Sequence, residues 1–501
     1  MKQYIYKAYG MGVFICLLIF SSCDLTTAVD DVEPLYTISA DEAIYDEKSA
    51  DLALLGVYSG MTQYGLDFPT VFFVPDIFLG YSNAGFYANN EEQLGWSSNN
   101  PILTGSIQHG AYTRFYSLIN NANWVIEQTG MLSDDIFDTP GRRAEVIAEA
   151  RLMRALATFY LLRAYGQFYD TSSEFGVVLR TDPARYEEEL PRSSVQETYT
   201  AILADIEDGI ANAPENRGKT FTNKTFARAF KAKVLLYMGD YQQAASEAKA
   251  VIENPGSGFA LEADYASIFG PHDSPTLFEK SEIIFGIPGV ETPEGTGVGW
   301  GNFYNGFSAG VDPVYFDMVN TGTLTIGGQT IAHDGGRVES ITDPFGGSLG
   351  TPLMTKYSDY TTDYEMHYVM RMAEIYLIHA EAAARASGMV TPEALSSLNE
   401  VRKRAGATTT GGDGFETYPE SISLSEFLEA VRIEKLVELY AENGENWFDA
   451  VRYAYEDGGF NSGFQVSEIK ATATDPNKFI FPIPQTSVEV NSLLVQNPGY
   501  Q

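Results

Sequence analysis

The stretch NKTFARAFKAKVLLYMGDYQQAASEAKAVI, residues 223–252, decides the fold. It reads as two helices, Asn223–Met238 and Tyr241–Ile252, joined by Gly239-Asp240. Apolar residues recur at helical spacing in both. In the second helix Ala244, Ala245 and Ala248 let a neighbouring helix approach closely, while the first offers large side chains. Small-against-large interdigitation across a tight turn is the pattern of a tetratricopeptide unit. A generic helical hairpin is the alternative, and the rest of the chain arbitrates.

Working outward, helical patterns continue on both sides. Upstream they cover Ser39–Tyr58, with Ser39 as cap and Glu42 three residues on, then Tyr112–Thr129, Pro140–Tyr165 and Ser194–Ala211. Downstream come Tyr364–Ala386, a helix opened by Thr391-Pro392-Glu393 and running to Arg402, then Ser423–Ala441 and Trp447–Tyr455. Proline suits a first helical turn. Two stretches interrupt the pattern. Residues 60–110 and 256–363 are rich in glycine, asparagine and aromatics, with short strands expected at Glu282–Gly286 and Leu324–Ile326. The reading is a mainly α protein: a tetratricopeptide-like helical repeat scaffold with large loop-rich inserts and a few short strands. The scaffold occupies residues 39–58, 112–254 and 364–457 of a single domain, 39–501. Inserts in repeat proteins map to one face, often the binding face, so 60–110 and 256–363 are the expected ligand-binding part.

The N-terminus has its own logic. Lys2 and Lys7 precede an apolar run, Met11–Phe20, followed by Ser21-Ser22-Cys23-Asp24. That is a secretory signal shape over residues 1–22, and the run is too short to span a bilayer. A cysteine at the cleavage point is the residue a bacterial lipoprotein carries as its acylated N-terminus. The alternative is a cleaved signal followed by an ordinary cysteine. Residues 23–38 read as an acidic flexible tether. The only other cysteine, Cys16, leaves with the signal, and an acylated Cys23 has no free thiol, so the mature lipoprotein would have neither disulfide nor thiolate nucleophile. Losing Lys2 and Lys7 takes the formal charge from -35 to -37. Such a surface excludes nucleic acid, whose binding requires cations on phosphates, and disfavours polyanionic glycans.

The chain lacks catalytic signatures. Its five histidines, His109, His272, His333, His367 and His379, form no metal-ligand spacing, and His367 and His379 stand twelve apart on one expected helix. Nucleophile-elbow and Walker patterns are missing, so no catalytic residue, cofactor or metal is expected. A glycoside hydrolase, which needs two facing carboxylates, is the outsider. The positive signal is the mixture of aromatics and amides in the inserts. Rings stack on the apolar faces of sugars and amides bond their hydroxyl edges. The candidate ligand-binding residues are Tyr81, Asn83, Trp96 and Asn99 in the first insert, and Trp300, Asn302 and Tyr304 in the second. Trp124, flanked by Ile119 and Ile126, reads as core. Arg432 and Glu438, on core-facing helical positions, are expected in buried or half-buried ion pairs.

Several motifs resemble one family in order and spacing. They are Glu149-Ala150-Arg151-Leu152-Met153-Arg154-Ala155 running to Tyr165-Gly166; the pair from Thr225 to Ala245; Tyr368 to Leu377 with Ala380-Glu381-Ala382; and Leu398 to Gly406. Arg432-Ile433-Glu434, Trp447-Phe448-Asp449, Phe481-Pro482-Ile483-Pro484 and Gln496-Asn497-Pro498-Gly499-Tyr500 complete the set. The chain resembles the SusD/RagB family of Bacteroidetes outer-membrane nutrient-binding lipoproteins. It departs from the family at Asn443-Gly444-Glu445-Asn446, where a Gly-His-Arg run is usual, and at Ala450-Val451-Arg452. The resemblance implies a palmitate-bearing lipoprotein at the outer membrane, facing the cell exterior. Its role would be to capture oligosaccharide and pass it to a SusC-like TonB-dependent transporter, without catalysis. It also implies that the loop of Trp96 and Asn99 corresponds in placement to a family binding loop. A peptide-binding member, or a structural lid of weak intrinsic affinity, stays open as the alternative.

Overall fold

A computed structural model describes residues 42–61, 82–83, 91–269, 279–288, 310–311, 313–343, 353–357, 366–408 and 414–500. In chain order the helices are α1 (Glu47–Ser59), α2 (Glu91–Ser97), α3 (Ser106–Met131), α4 (Arg142–Tyr165), α5 (Val195–Asn212), α6 (Lys224–Tyr237), α7 (Tyr241–Glu253), α8 (Pro313–Thr321), α9 (Arg337–Ser340), α10 (Met372–Ser387), α11 (Pro392–Arg404), α12 (Leu424–Glu438), α13 (Glu445–Glu456) and α14 (Gln485–Val490). Among the described residues eight short strands form: β1 (Ser82–Asn83), β2 (Ile283–Pro288), β3 (Gly310–Val311), β4 (Thr323–Ile326), β5 (Gln329–Ala332), β6 (Thr342–Asp343), β7 (Leu353–Met354) and β8 (Met366–Arg371). Residues Asp46–Gln501 make one compact unit.

Local chemistry sets several helix starts. Ser194 and Ser423 cap α5 and α12 in full capping boxes with Glu197 and Glu426. Asn223, Asp240 and Thr391 cap α6, α7 and α11 through their side-chain oxygens. Such caps satisfy amides the helix itself leaves unpaired. Ser39, the expected helix start, lies outside the described residues, and the described helix starts at Glu47. Asp46 accepts from the Ser49 amide at 2.7 Å and Ser49 Oγ accepts from the Asp46 amide at 2.9 Å, and this reciprocal pair fixes the start.

The helices pack in succession, α3 on α4, α4 on α5, α5 on α6 and α6 on α7. Helix α7 then packs on α10, across more than a hundred intervening residues, and α10 packs on α11 and α12. The scaffold is therefore continuous in space where the sequence is interrupted. Ala244, Ala248 and Val251 of α7 are fully buried in that junction. A core of Ala373, Leu377, Ala380, Leu398, Phe427 and Val431 carries the packing onward.

One expected helix is corrected. The segment from Tyr364 is not helical throughout: Met366–Arg371 is strand β8, antiparallel to β2, and the helix starts at Met372. All six residues of β8 are buried. A short apolar run buried on both sides suits a strand as well as a helix. His367 and His379 therefore sit on different elements. His367 Nε2 lies 2.6 Å from Asn443 Oδ1, and His379 Nδ1 lies 2.8 Å from Ser397 Oγ. Burial pushes the His367 imidazole down to about 4, so it is neutral and donates to the amide oxygen.

A buried ionic cluster ties β2, β8, α9, α11 and α12 together. Arg371 pairs with Glu282 (2.5 Å), Glu438 (3.1 Å) and Glu442 (2.8 Å). Arg337 pairs with Asp334, Glu434 and Glu438, Arg402 with Glu434, Arg404 with Glu282 and Glu438, and Lys356 with Glu442. Five cations thus face five carboxylates, all of them buried or nearly so. Burial alone would raise the Glu438 pKa; Arg404, Arg371 and Arg337 overcome it and hold the carboxyl at about 2. The ion pair expected at Glu438 is present. Arg432 differs: it lies over the Phe464 ring at 4.1 Å, a cation–π contact at a half-buried position.

The departure at residues 443–446 has a structural account. Ala441, Asn443 and Gly444 all adopt positive φ, turning the chain sharply into α13. Asn443 Nδ2 donates to the carbonyls of Tyr368 (2.9 Å) and Val369 (2.8 Å), and its Oδ1 accepts from Tyr160 (3.1 Å). Glu445 receives Arg163 and Lys233, both at 2.6 Å. The run binds α13 to β8 and to α4 and α6.

Candidate functional site

The two inserts are stitched to each other by backbone. β1 pairs antiparallel with β3, Ser82 opposite Val311 and Asn83 opposite Gly310. β3 lies against β7, which pairs with β6. Asn83 thus belongs to a strand that joins the first insert to the second. Tyr81, Trp300, Asn302 and Tyr304 lie outside the described residues. In sequence Tyr81 directly precedes β1, and Tyr304 stands six residues before β3.

Trp96 and Asn99 correct the sequence expectation. Residues 91–97 form a helix, α2, rather than a loop, and the Trp96 ring is 0% exposed. Its carbonyl accepts from Lys470 Nζ at 2.7 Å, Ser97 O from Thr472 Oγ1 at 3.2 Å, and Asn99 Nδ2 donates to Lys478 O at 3.3 Å. Burial pushes the Lys470 amine down to about 7. Glu92, on the same helix, accepts from the Ser106 (3.0 Å) and Gln108 (3.3 Å) amides and so caps α3. Helix α2 is a wedge between α3 and the C-terminal segment, and its tryptophan fills the interior. In this structure neither residue presents a face to a ligand.

At the roots of both inserts lies an apolar cleft of about 310 Å³. Leu55, Tyr58 and Met61 contribute from α1 and its end, Phe221 from the approach to α6, and Phe285 and Ile287 from β2. Tyr58 and Phe221 meet edge to face at 5.1 Å between centroids. Behind them Tyr58 Oη donates to Glu149 Oε2 at 2.8 Å and accepts from the Thr222 amide at 3.1 Å. The fully buried Glu149 carboxylate also holds Arg142 (2.9 Å) and Arg217 (2.8 Å). Burial, with the Glu149 charge beside it, pushes the Tyr58 phenol far above its ordinary range. This polar floor is fully engaged, so the cleft offers apolar contact and no acid–base pair. Its volume is at the small end for a ligand pocket. The sequence hid it, because Leu55 and Tyr58 read as ordinary helix positions while Phe221 and Phe285 come from distant segments.

Trp124 also departs from expectation. It is half-buried on α3, and the Arg185 guanidinium stacks over its ring at 4.6 Å. Trp447 is buried, its indole N–H donating to Phe479 O at 3.1 Å. Among the described residues no cluster of His, Cys, Asp and Glu is placed to hold a metal, and no helix is long and apolar enough to cross a membrane.

This helix-rich architecture is that of the SusD superfamily structures it resembles. Over 91% of this chain and all of the other, it superposes on a SusD superfamily protein from Bacteroides thetaiotaomicron with a TM-score of 0.71 at 20% identity. A laminarin-binding SusD-like protein gives 0.68 at 21% identity, again over 91% of this chain and the whole of that one. Residues 341–500 match the SusD family model, and residues 82–236 match a model described as starch-binding associating with outer membrane. A SusD-like protein P2 from Formosa agariphila is 26% identical over 429 residues, 77% of this chain and 79% of that one. The chain belongs to the SusD/RagB family.

Proposed function

We propose that this protein is a cell-surface lipoprotein, anchored through Cys23, that captures a neutral oligosaccharide and passes it to a SusC-like TonB-dependent transporter in the outer membrane. The observation that carries the reading is the β1–β3 pairing in a chain of this family. It ties the segment of Tyr81 and Asn83 to the one that follows Trp300, Asn302 and Tyr304. In the proposed site the Trp300 and Tyr304 rings stack on sugar faces, and Asn83, Asn302 and Tyr81 bond the hydroxyl edges. The formal charge of -35 supports a neutral ligand over a polyanionic one. The laminarin-binding and starch-binding descriptions among the similar proteins support a glucan as the first ligand class to test. The protein itself performs no chemical step; release follows delivery to the barrel.

The test is calorimetric titration of the mature chain with neutral oligosaccharides, laminarihexaose and maltohexaose first, alongside affinity capture from solubilised outer membranes. The reading expects saturable binding of one glycan, its loss in Trp300→Ala, and co-capture of a TonB-dependent barrel. Binding of mixed oligopeptides with no glycan bound contradicts it.

A further inference from the structure

We infer a second carbohydrate contact on the scaffold, distinct from the inserts, built from Tyr186, Trp124 and Arg185 where residues 180–190 cross α3. It rests on the reading of this protein as a binder of neutral glycans.

Tyr186 is 75% exposed, in a run that is almost wholly open to solvent. An irregular exposed run would ordinarily be mobile, but this one is fastened along its length. Asn123 Nδ2 donates to the carbonyls of Arg180 (3.1 Å) and Asp182 (3.0 Å). Arg154 Nη1 donates to Thr181 O at 3.0 Å, and the Ala184 amide donates to Asn120 Oδ1 at 2.8 Å. At the far end Asn491 Nδ2 donates to Leu190 O at 2.8 Å, and the Ser492 amide donates to Glu189 Oε2 at 3.0 Å. Tyr186 is therefore a projecting ring on a backbone pinned on both sides. A preorganised ring loses little entropy on binding.

Next to it in sequence, Arg185 sits over the Trp124 ring, and its guanidinium is engaged by Glu127 with Nη1 to Oε2 at 3.3 Å. Asn120, Trp124 and Glu127 are spaced to share one face of α3. A projecting phenol and, next to it in sequence, a guanidinium over an indole, with a carboxylate and an amide, thus lie on two segments pinned to each other. An exposed ring for the apolar face of a sugar, held beside a guanidinium and carboxylates that can bond its edge, is the chemistry of carbohydrate recognition. Glu127, Glu187, Glu188 and Glu189 make the surroundings acidic, which selects an uncharged glycan over an acidic one. Two contacts on one body favour a long chain over a short one, because the second engagement becomes intramolecular.

The experiment compares polymer with oligomer. Wild-type, Tyr186→Ala and Tyr186→Ala/Trp124→Ala proteins are run in native gels containing laminarin or amylose, and titrated with the matching hexasaccharides. The expected result is at least a tenfold weaker apparent affinity for the polymer in the double variant, a smaller loss in Tyr186→Ala, and an unchanged hexasaccharide Kd. Tyr186 is exposed, so its single variant keeps the test valid if the double variant is unstable. Polymer affinity equal to wild type in Tyr186→Ala overturns the second contact and leaves the functional reading intact. Binding of a tetralysine peptide that is lost in the same variants also overturns it, in favour of a basic-peptide contact. A wild-type protein that retains neither polymer nor hexasaccharide overturns the inference together with the functional reading beneath it.

Discussion

Replacing Glu438 by glutamine removes one negative charge from the buried cluster and keeps its shape. Three guanidiniums converge on that carboxylate, from Arg337, Arg371 and Arg404, and its side chain is fully buried. Each arginine keeps a second partner: Glu434 for Arg337, Glu282 and Glu442 for Arg371, Glu282 for Arg404. The variant therefore leaves five cations against four carboxylates, an uncompensated unit of buried charge. Breaking a buried pair from one side costs about 3–5 kcal/mol. For the compact unit Asp46–Gln501 an unfolding entropy of about 2.1 cal/mol/K per residue sums to about 1 kcal/mol/K, so Tm should fall by about 3–5 °C. Scanning fluorimetry or calorimetry at pH 7 reads this directly. Glu400→Gln is the control, because its pair with Lys403 is exposed at 46% and 45% and is worth no more than about 1 kcal/mol. Neutralising Arg404 alongside Glu438 restores charge balance and should recover part of the loss. A Tm for Glu438→Gln within about 1 °C of wild type would show the cluster to be indifferent to its own neutrality, against this prediction.

Glu374 is pushed up to about 7, by burial first and by the neighbouring Glu445 charge, against the pull of Lys233 at 2.7 Å. The folded state then binds more protons than the unfolded one between the ordinary carboxylate range and about 7, so this group lowers stability as pH rises through that window. Glu374→Gln should remove the effect, with the Tm difference from wild type growing in the variant's favour between pH 5 and 7.5; a difference independent of pH contradicts it. Gly176→Ala would bring a Cβ to 2.5 Å from the carbonyl oxygens of both Ser193 and Ser194, backbone atoms at the start of α5; a loss of about 1–3 kcal/mol is expected, read as a fall in denaturation midpoint. Cys23→Ala should shift the protein from the membrane fraction to the soluble fraction and abolish incorporation of labelled palmitate.

Legibility in the sequence followed the locality of the cause. The pair around Gly239-Asp240 was readable because both caps, Asn223 and Asp240, and the small-residue face all lie within about thirty residues. Strand β8 was not, because what makes Met366–Arg371 a strand is β2, some eighty residues upstream. Trp96 was misjudged for the same reason: the groups that make its helix an interior wedge, Lys470, Thr472 and Lys478, come from the far end of the chain. Trp124 erred the other way. Its neighbours Ile119 and Ile126 suggested core, yet Arg185 covers it from a separate segment at the surface. The ionic role of Glu438 was foreseeable from a charged residue on a core-facing helix position, whereas the ten-member balance around it was not. The apolar cleft assembles from α1, Phe221 and β2 and has no local signature.

On the proposed function, the stitched inserts bind a neutral glycan. The most direct measurement is the Kd of the mature chain for laminarihexaose and maltohexaose, wild type against Trp300→Ala and Trp96→Phe. The account predicts saturable binding of one of them, lost in Trp300→Ala and unchanged in Trp96→Phe, whose ring is interior. Glycan binding that survives Trp300→Ala and is lost in a folded Trp96→Phe protein would contradict it.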